Sequence, residues 1–236
     1  MKNIVLPDNV ERSLAFYLAM EEFVAKEMEG EAFFVWRVEP TVIIGRNQVL
    51  ENEVNMPYCA EHGVQLVRRK SGGGCVYSDK GNIMISYVSE RGDVAAVFDR
   101  YMSALAALLC DLGLPAVKTA RNDILVDGRK VSGNAFQQLP GKSVVHGTML
   151  YSTDLEALTE AIRPPVEKLQ RHGVESVRQR VVNLQEYSGV HPVLESVEAL
   201  QDHIVKCFTD GAVMLAPEQV QEIERQAQPY IISQII

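Results

Sequence analysis

Residues 69–82 read Arg-Lys-Ser-Gly-Gly-Gly-Cys-Val-Tyr-Ser-Asp-Lys-Gly-Asn. Three successive glycines, Gly72, Gly73 and Gly74, follow three cations, Arg68, Arg69 and Lys70, and the hydroxyl of Ser71. Apolar runs flank the stretch at 64–67 and 83–88, so it predicts a glycine-rich connection between two strands. Glycine has no Cβ, which lets a ligand lie on the main chain and lets its N–H groups point at oxygens. The arginines add planar donors suited to phosphate or carboxylate. Chemically, the stretch is built to hold an anion.

Two familiar nucleotide loops are excluded. Gly141-Lys142-Ser143 has the end of a Walker loop, but Phe136 occupies the position five residues earlier where that loop needs glycine. Tyr77 stands where a dinucleotide fingerprint would place its third glycine. A nucleotide held here is held by another scheme.

The 236 residues suffice for one large domain or two small ones, and the 47% hydrophobic content is globular. A net charge of −8 argues against a broad nucleic-acid footprint while leaving room for a local basic pocket. No apolar run is long enough to span a bilayer, and the first residues have the character of neither a signal nor a transit peptide. Cys59, Cys75, Cys110 and Cys207 are scattered without a CxxC pair, which speaks against zinc and disulfides and for a reducing cytoplasm.

Along the chain, Asp8 or Asn9 is expected to cap a first helix with its apolar stripe at Leu14, Tyr17, Met20, Val24 and Met28, ending at Gly30. Strands are expected at 33–38 and 41–44, a short helix at 52–62, and a nearly all-apolar helix at 94–110 capped by Asp93. Asp127-Gly128 between two β-type runs predicts a two-residue hairpin, continued by a third run at 143–151. Thr153 or Asp154 caps a helix to Ile162, residues 164–188 are loop-rich, and two more helices fall near 194–208 and 217–227. Strands in the middle with helices outside predict an α+β domain with a mostly antiparallel sheet.

In this frame the chain resembles the lipoate–protein ligases, relatives of the biotin–protein ligases. The resemblance rests on Gly45-Arg46-Asn47-Gln48, residues 68–74, Asp79-Lys80-Gly81-Asn82, Arg121-Asn122-Asp123, residues 128–133, His146-Gly147-Thr148 and residues 176–184, in that order. It implies the biotin/lipoate ligase catalytic domain over 1–236, with a C-terminal helical tail from about residue 192. It also implies ATP- and Mg²⁺-dependent activation of lipoate or octanoate as the acyl-AMP. The acyl group then passes to a lysine of an apo lipoyl domain, of a 2-oxoacid dehydrogenase complex or of the glycine-cleavage H protein. Neither nucleic acid nor membrane is an expected partner.

The resemblance implies roles position by position. Lys130, set just after the expected hairpin turn, bridges the acyl carbonyl oxygen and the α-phosphate. Arg69 and the main chain of Gly74, Cys75, Val76 and Tyr77 hold phosphate and adenosine, Asn82 meets the adenine edge, and Arg178 and Arg180 approach the nucleotide. Ser71, Gly72 and Gly73 wall the acyl pocket and carboxylate, joined by Ser132, Gly133, His146 and, on a neighbouring loop, Arg46. Asp123 is the Mg²⁺ candidate, since a hard cation takes few protein ligands and several phosphate oxygens. Bland readings stand beside these: a turn-forming Asn82 and Asp123, a core His146, a solvated face for Arg178 and Arg180.

Ser78 replaces a histidine common in the family, and Cys75 replaces an alanine. The chain stops at Ile236, where ligases of the family continue into a small accessory domain. The expectation is a catalytic domain without it: completed by a separate protein, a curtailed form, or one that performs only the transfer half from preformed lipoyl-AMP. A cysteine-dependent acyl transferase and a non-catalytic acyl-adenylate binder also remain open on the residues alone.

Overall fold

The apolar run after the glycines forms the long strand β6 (Asn82–Glu90), at the centre of an eight-stranded sheet. The computed structural model describes residues 1–90, 92–162 and 180–232. The strands before β6 are β1 (Lys2–Val5), β2 (Ala32–Trp36), β3 (Thr41–Ile44), β4 (Gln65–Arg68) and β5 (Val76–Ser78). After it come β7 (Ala116–Lys118), β8 (Asp123–Val126), β9 (Arg129–Leu139), β10 (Lys142–Leu150) and β11 (Ala212–Met214). The large sheet runs β11-β1-β2-β6-β10-β9-β8-β7, antiparallel from β2 to β7 and parallel where β1 meets β2 and β11. A second sheet, β4-β3-β5, holds the two ends of the glycine loop on either side of β3.

Alternation sorts β2 and β6 onto two faces. Phe33, Ile83, Ile85 and Tyr87 face one core, with α4 (Val94–Asp111) and α6 (Val197–Phe208) against them. Phe34, Trp36, Met84 and Val88 face the other, under α1 (Leu14–Glu27) and α7 (Pro217–Ala227). The small sheet packs Val42, Ile44, Leu66 and Tyr77 against α3 (Met56–Glu61) and α5 (Leu155–Ala161), with α2 (Leu50–Glu53) beside them. The α+β, mainly antiparallel architecture is the one read from the sequence.

Several local expectations change. Ser13, not Asp8 or Asn9, caps α1, its hydroxyl accepting from Phe16 N; Asp8 instead accepts from Val10 N and Arg12. The helix expected over 52–62 is two short ones broken at Val54 and Asn55. The helix α4 is buried on one side only, through Val97, Tyr101, Leu105, Leu108 and Leu109, because its other side has no layer above it. The C-terminal helices, expected as a tail within the single domain, pack on its body. β11 extends the large sheet beside β1, α7 lies on α1, and Ile231–Ile232 joins the edge of β4, with Ile232 N donating to Leu66 O at 3.0 Å.

Candidate active site

The glycine loop is held by the cation that precedes it. Arg69 is 5% exposed, its Nε donating to Gly72 O at 3.0 Å and its Nη2 to Gly74 O at 2.6 Å. Gly73 has φ +98°, and a Cβ there would stand 2.7 Å from Arg69 Nη2, so both backbone angle and space require glycine. Burial lowers the Arg69 pKa to about 10. No carboxylate pairs with Arg69 among the described residues. Arg68 braces the loop alongside, donating to Gly45 O at 3.2 Å and Gln48 O at 2.8 Å. Arg46 donates through its main chain to Ser71 O, while its side chain is exposed.

The hairpin supplies the second wall. Asp127 (φ +50°) and Gly128 (φ +75°) both take the left-handed conformation that a type I′ turn demands. Strict alternation would put Lys130 and Ser132 on one face. A register shift between Ile124 and Leu125 pairs Leu125 with Lys130 but Ile124 with Ser132, so one residue is extra on β9. Lys130 therefore shares its face with Gly133, whose Cβ, if present, would stand 2.6 Å from the Lys130 Nζ. The ammonium lies 2.6 Å from Asp123 Oδ1, both side chains being about one-third exposed. Val182 N donates to Lys130 O at 2.9 Å, which brings Arg180 close to the same strand.

Between the walls runs a buried polar chain. Ser71 Oγ and His146 Nε2 are 2.9 Å apart, and His146 Nδ1 lies 2.8 Å from Glu21 Oε2. Ser86 Oγ donates to Glu21 Oε1 at 2.6 Å and accepts from Trp36 Nε1 at 2.9 Å. Every member is buried. The chain ties the glycine loop to β10, α1 and β2, so the two sheets meet through satisfied hydrogen bonds rather than apolar contact alone.

The enclosed space is a cavity of about 440 Å³. Leu18, Trp36, Ile43, Val76, Met84 and Ala135 are its apolar lining, while Arg69, Arg121 and Lys130 bring positive charge and Asp123 a single negative one. Such a space accepts an amphiphile with an anionic head. Asp123 suits a cation held mainly by ligand oxygens, since no group of three or more His, Cys, Asp or Glu side chains forms a metal cage among the described residues.

Of the expected site residues, Arg69, Gly73, Gly74, Cys75, Val76, Asp123, Lys130, Gly133 and His146 line this cavity together. Ser71 stands behind His146, and Gly72 is exposed on the loop. The Tyr77 ring packs into the small-sheet core, leaving only its main chain toward the glycine loop. Asn82 is fully buried and spends its amide on Tyr77 O and Met149 N. Ser132 turns to Asn134, accepting from its Nδ2 at 3.1 Å. Arg178 lies outside the described residues. Sequence reading missed Glu21, whose one signal was its place on the 14–18–21–25 stripe of α1, and Trp36, Met84 and Arg121.

A mixed sheet with a glycine loop beside a cavity lined by both apolar side chains and cations defines an α+β protein with a candidate anion site. Likeness to known proteins specifies it further. Residues 13–209 match the model of the lipoyl protein ligase A/B catalytic domain, and the chain belongs to that family. It is 36% identical over 173 residues to the lipoate-protein ligase LplJ of Bacillus subtilis and 38% identical over 173 residues to lipoate–protein ligase 1 of Staphylococcus aureus. Each alignment covers 72% of this chain but only 52% and 53% of those proteins, so the chain spans about half the length of the curated relatives it matches. A solved structure described as a bi-partite lipoate protein ligase and its E2 lipoyl domain from Thermoplasma acidophilum superposes with a TM-score of 0.81 at 25% identity. It covers 96% of this chain and 91% of that one.

Proposed function

We propose that this chain carries the catalytic centre of an ATP-dependent lipoate–protein ligase. The observation that carries the reading is the cavity's mixed lining, in which Leu18, Trp36 and Met84 share one space with Arg69, Arg121, Lys130 and the glycines of the loop. The acyl chain of lipoate or octanoate occupies the side of Leu18, Trp36 and Met84, and its carboxylate points toward Arg69 and Lys130. A carboxylate oxygen attacks the α-phosphorus of ATP, and pyrophosphate leaves with the bonding electrons. Cations placed in advance stabilise the charge that gathers on the phosphate. The Lys130 ammonium, steadied by Asp123, spans the acyl oxygen and the α-phosphate. Main-chain groups of residues 74–77 and the side chain of Arg180 lie along the nucleotide. Mg²⁺ on Asp123 would supply charge neutralisation to the departing phosphates. In the second half-reaction the amine of an acceptor lysine attacks the acyl carbonyl and AMP departs. The acceptor is an apo lipoyl domain, of a 2-oxoacid dehydrogenase complex or of the H protein.

A second reading is favoured by the likeness in fold and extent to a ligase described as bi-partite. In it, the chain performs transfer, and activation needs a second polypeptide. A cysteine-dependent transferase fits less well. Burial pushes the Cys75 thiol up to about 12, and both ring nitrogens of His146 are engaged by Ser71 and Glu21. The deciding experiment is the intact mass of an apo lipoyl domain incubated with the chain, lipoate, ATP and Mg²⁺, beside a tube given lipoyl-AMP instead. Acylation in both supports the complete ligase. Acylation only from lipoyl-AMP supports the transfer reading, and none in either rejects both.

A further inference from the structure

Arg121 has no assigned role, and its surroundings give it one. It lies in the turn from β7 to β8, which is pinned throughout. Thr119 N donates to Asp123 O at 2.9 Å, and Thr119 Oγ1 accepts from Arg121 N at 3.3 Å and Asp123 N at 3.1 Å. Asn122 Nδ2 donates to Asn134 O at 2.8 Å, and Asn134 Nδ2 returns a bond to Asn122 O at 3.1 Å. On this turn, the Arg121 guanidinium makes no hydrogen bond or ion pair with any described residue, and Arg121 is one of the residues that line the cavity. The other two strong cations of the wall are already committed. Arg69 bonds the carbonyls of Gly72 and Gly74, and Lys130 faces Asp123. An uncommitted guanidinium carried on a pinned turn at a cavity wall is a ready bidentate site for phosphate oxygens.

We propose that Arg121 holds the β,γ-diphosphate end of the nucleoside triphosphate, the part that departs as pyrophosphate. The inference rests on the ligase reading for its substrate and deepens it. Arg69 is nearly buried at the loop, whereas Arg121 is exposed. The leaving group must reach solvent, and it carries the highest charge of any substrate fragment, so its counter-ion belongs at the exposed rim. When the carboxylate oxygen bonds to the α-phosphorus, the bond from that phosphorus to the bridging oxygen breaks. The electron pair goes to the pyrophosphate, whose added charge meets the guanidinium.

The test is calorimetric titration of the chain and of Arg121→Ala with ATP, AMP and pyrophosphate at fixed ionic strength. Arg121→Lys and a thermal melt of each variant accompany it. The expected result is ATP and pyrophosphate binding weakened about tenfold or more in Arg121→Ala, with AMP within about twofold of the parent. Arg121→Lys should fall between, since it keeps the charge but loses the fork, and the melting temperatures should agree. Equal weakening of ATP and AMP would move Arg121 to the α-phosphate, and unchanged ATP binding would remove it from the site; either overturns the proposal. Selective weakening with no acylated acceptor in any tube would reject the ligase reading while leaving the diphosphate site standing. Absence of ATP binding by the parent chain would end both.

Discussion

Lys130 shows how narrowly a single side chain is placed. Its ammonium sits 2.6 Å from Asp123 and within the volume that any Cβ on Gly133 would need. On the proposed role of its ammonium at the acyl oxygen and α-phosphate, Lys130→Ala is expected to lower acyl transfer by about a hundredfold or more, with little change in melting temperature. Gly133→Ala is the sharper test. Its Cβ crowds the flexible end of Lys130 and meets Asp123 Oδ1 at an ordinary 3.6 Å, so the fold is expected to survive, while the displaced ammonium should lower kcat by about tenfold. An unchanged kcat in Gly133→Ala would mean that the ammonium position does not matter. Cys75 is the opposite case. Its folded pKa of about 12 lies above the ordinary thiol value, so the protonated form prevails through neutral pH and the thiolate appears only as pH rises toward 12. Iodoacetamide at pH 7.5 should therefore modify the exposed Cys110 and Cys207 well before Cys75, as read by peptide mass. Cys75→Ala should keep its activity within a few-fold, and a dead variant would revive the cysteine-dependent reading.

Among the elements, the β8–β9 hairpin governs the site. Its turn needs left-handed backbone at both Asp127 and Gly128, and its bulge decides which residues share the face of Lys130. Gly128→Val is expected to cost about 1–2 kcal/mol of stability, seen as a lower urea midpoint. Activity should fall further than the folded fraction does, because the turn and the lysine are two residues apart. The hairpin was legible beforehand because Asp-Gly carries its turn type in its own chemistry. Its bulge was not, since alternation alone places Lys130 with Ser132. The strands β1, β7 and β11 escaped reading for a related reason: three or four residues are too few to show a period, and only pairing with a neighbour makes them strands. The helix cap at Ser13 rather than Asp8 shows the same limit, because both are good caps and packing chose between them.

For the whole molecule, the C-terminal segment belongs to the body. α7 buries Val220, Ile223 and Ala227 against α1, the helix that carries Glu21 and Leu18 into the site, and β11 completes the sheet edge. Ile223→Ala should destabilise the chain by about 2–4 kcal/mol through the cavity it leaves, measured by chemical unfolding. A chain ended at residue 209 should fail to unfold cooperatively, because the α1 face would be uncovered. A sharp, parent-like transition in that truncation would show that the segment only decorates the fold.

The glycine loop, the hairpin with its lysine, the α+β class and the family were legible in residues 45–184 because each rests on local chemistry: glycine where no Cβ fits, Asp-Gly where the turn is left-handed, cations beside them. What only the tertiary structure decided is which of those residues face one space. Glu21, Trp36 and Ser86 are linked to His146 and Ser71 across five separate segments, and a buried polar chain of that kind has no signature along the sequence. Arg121 stood in a family-like block with no role of its own until the turn was seen pinned, the guanidinium unpaired among the described residues and the residue in the cavity lining. Side-chain chemistry is a property of the sequence, but the pairing of charges is a property of distance, and distance is set only when the sheets close.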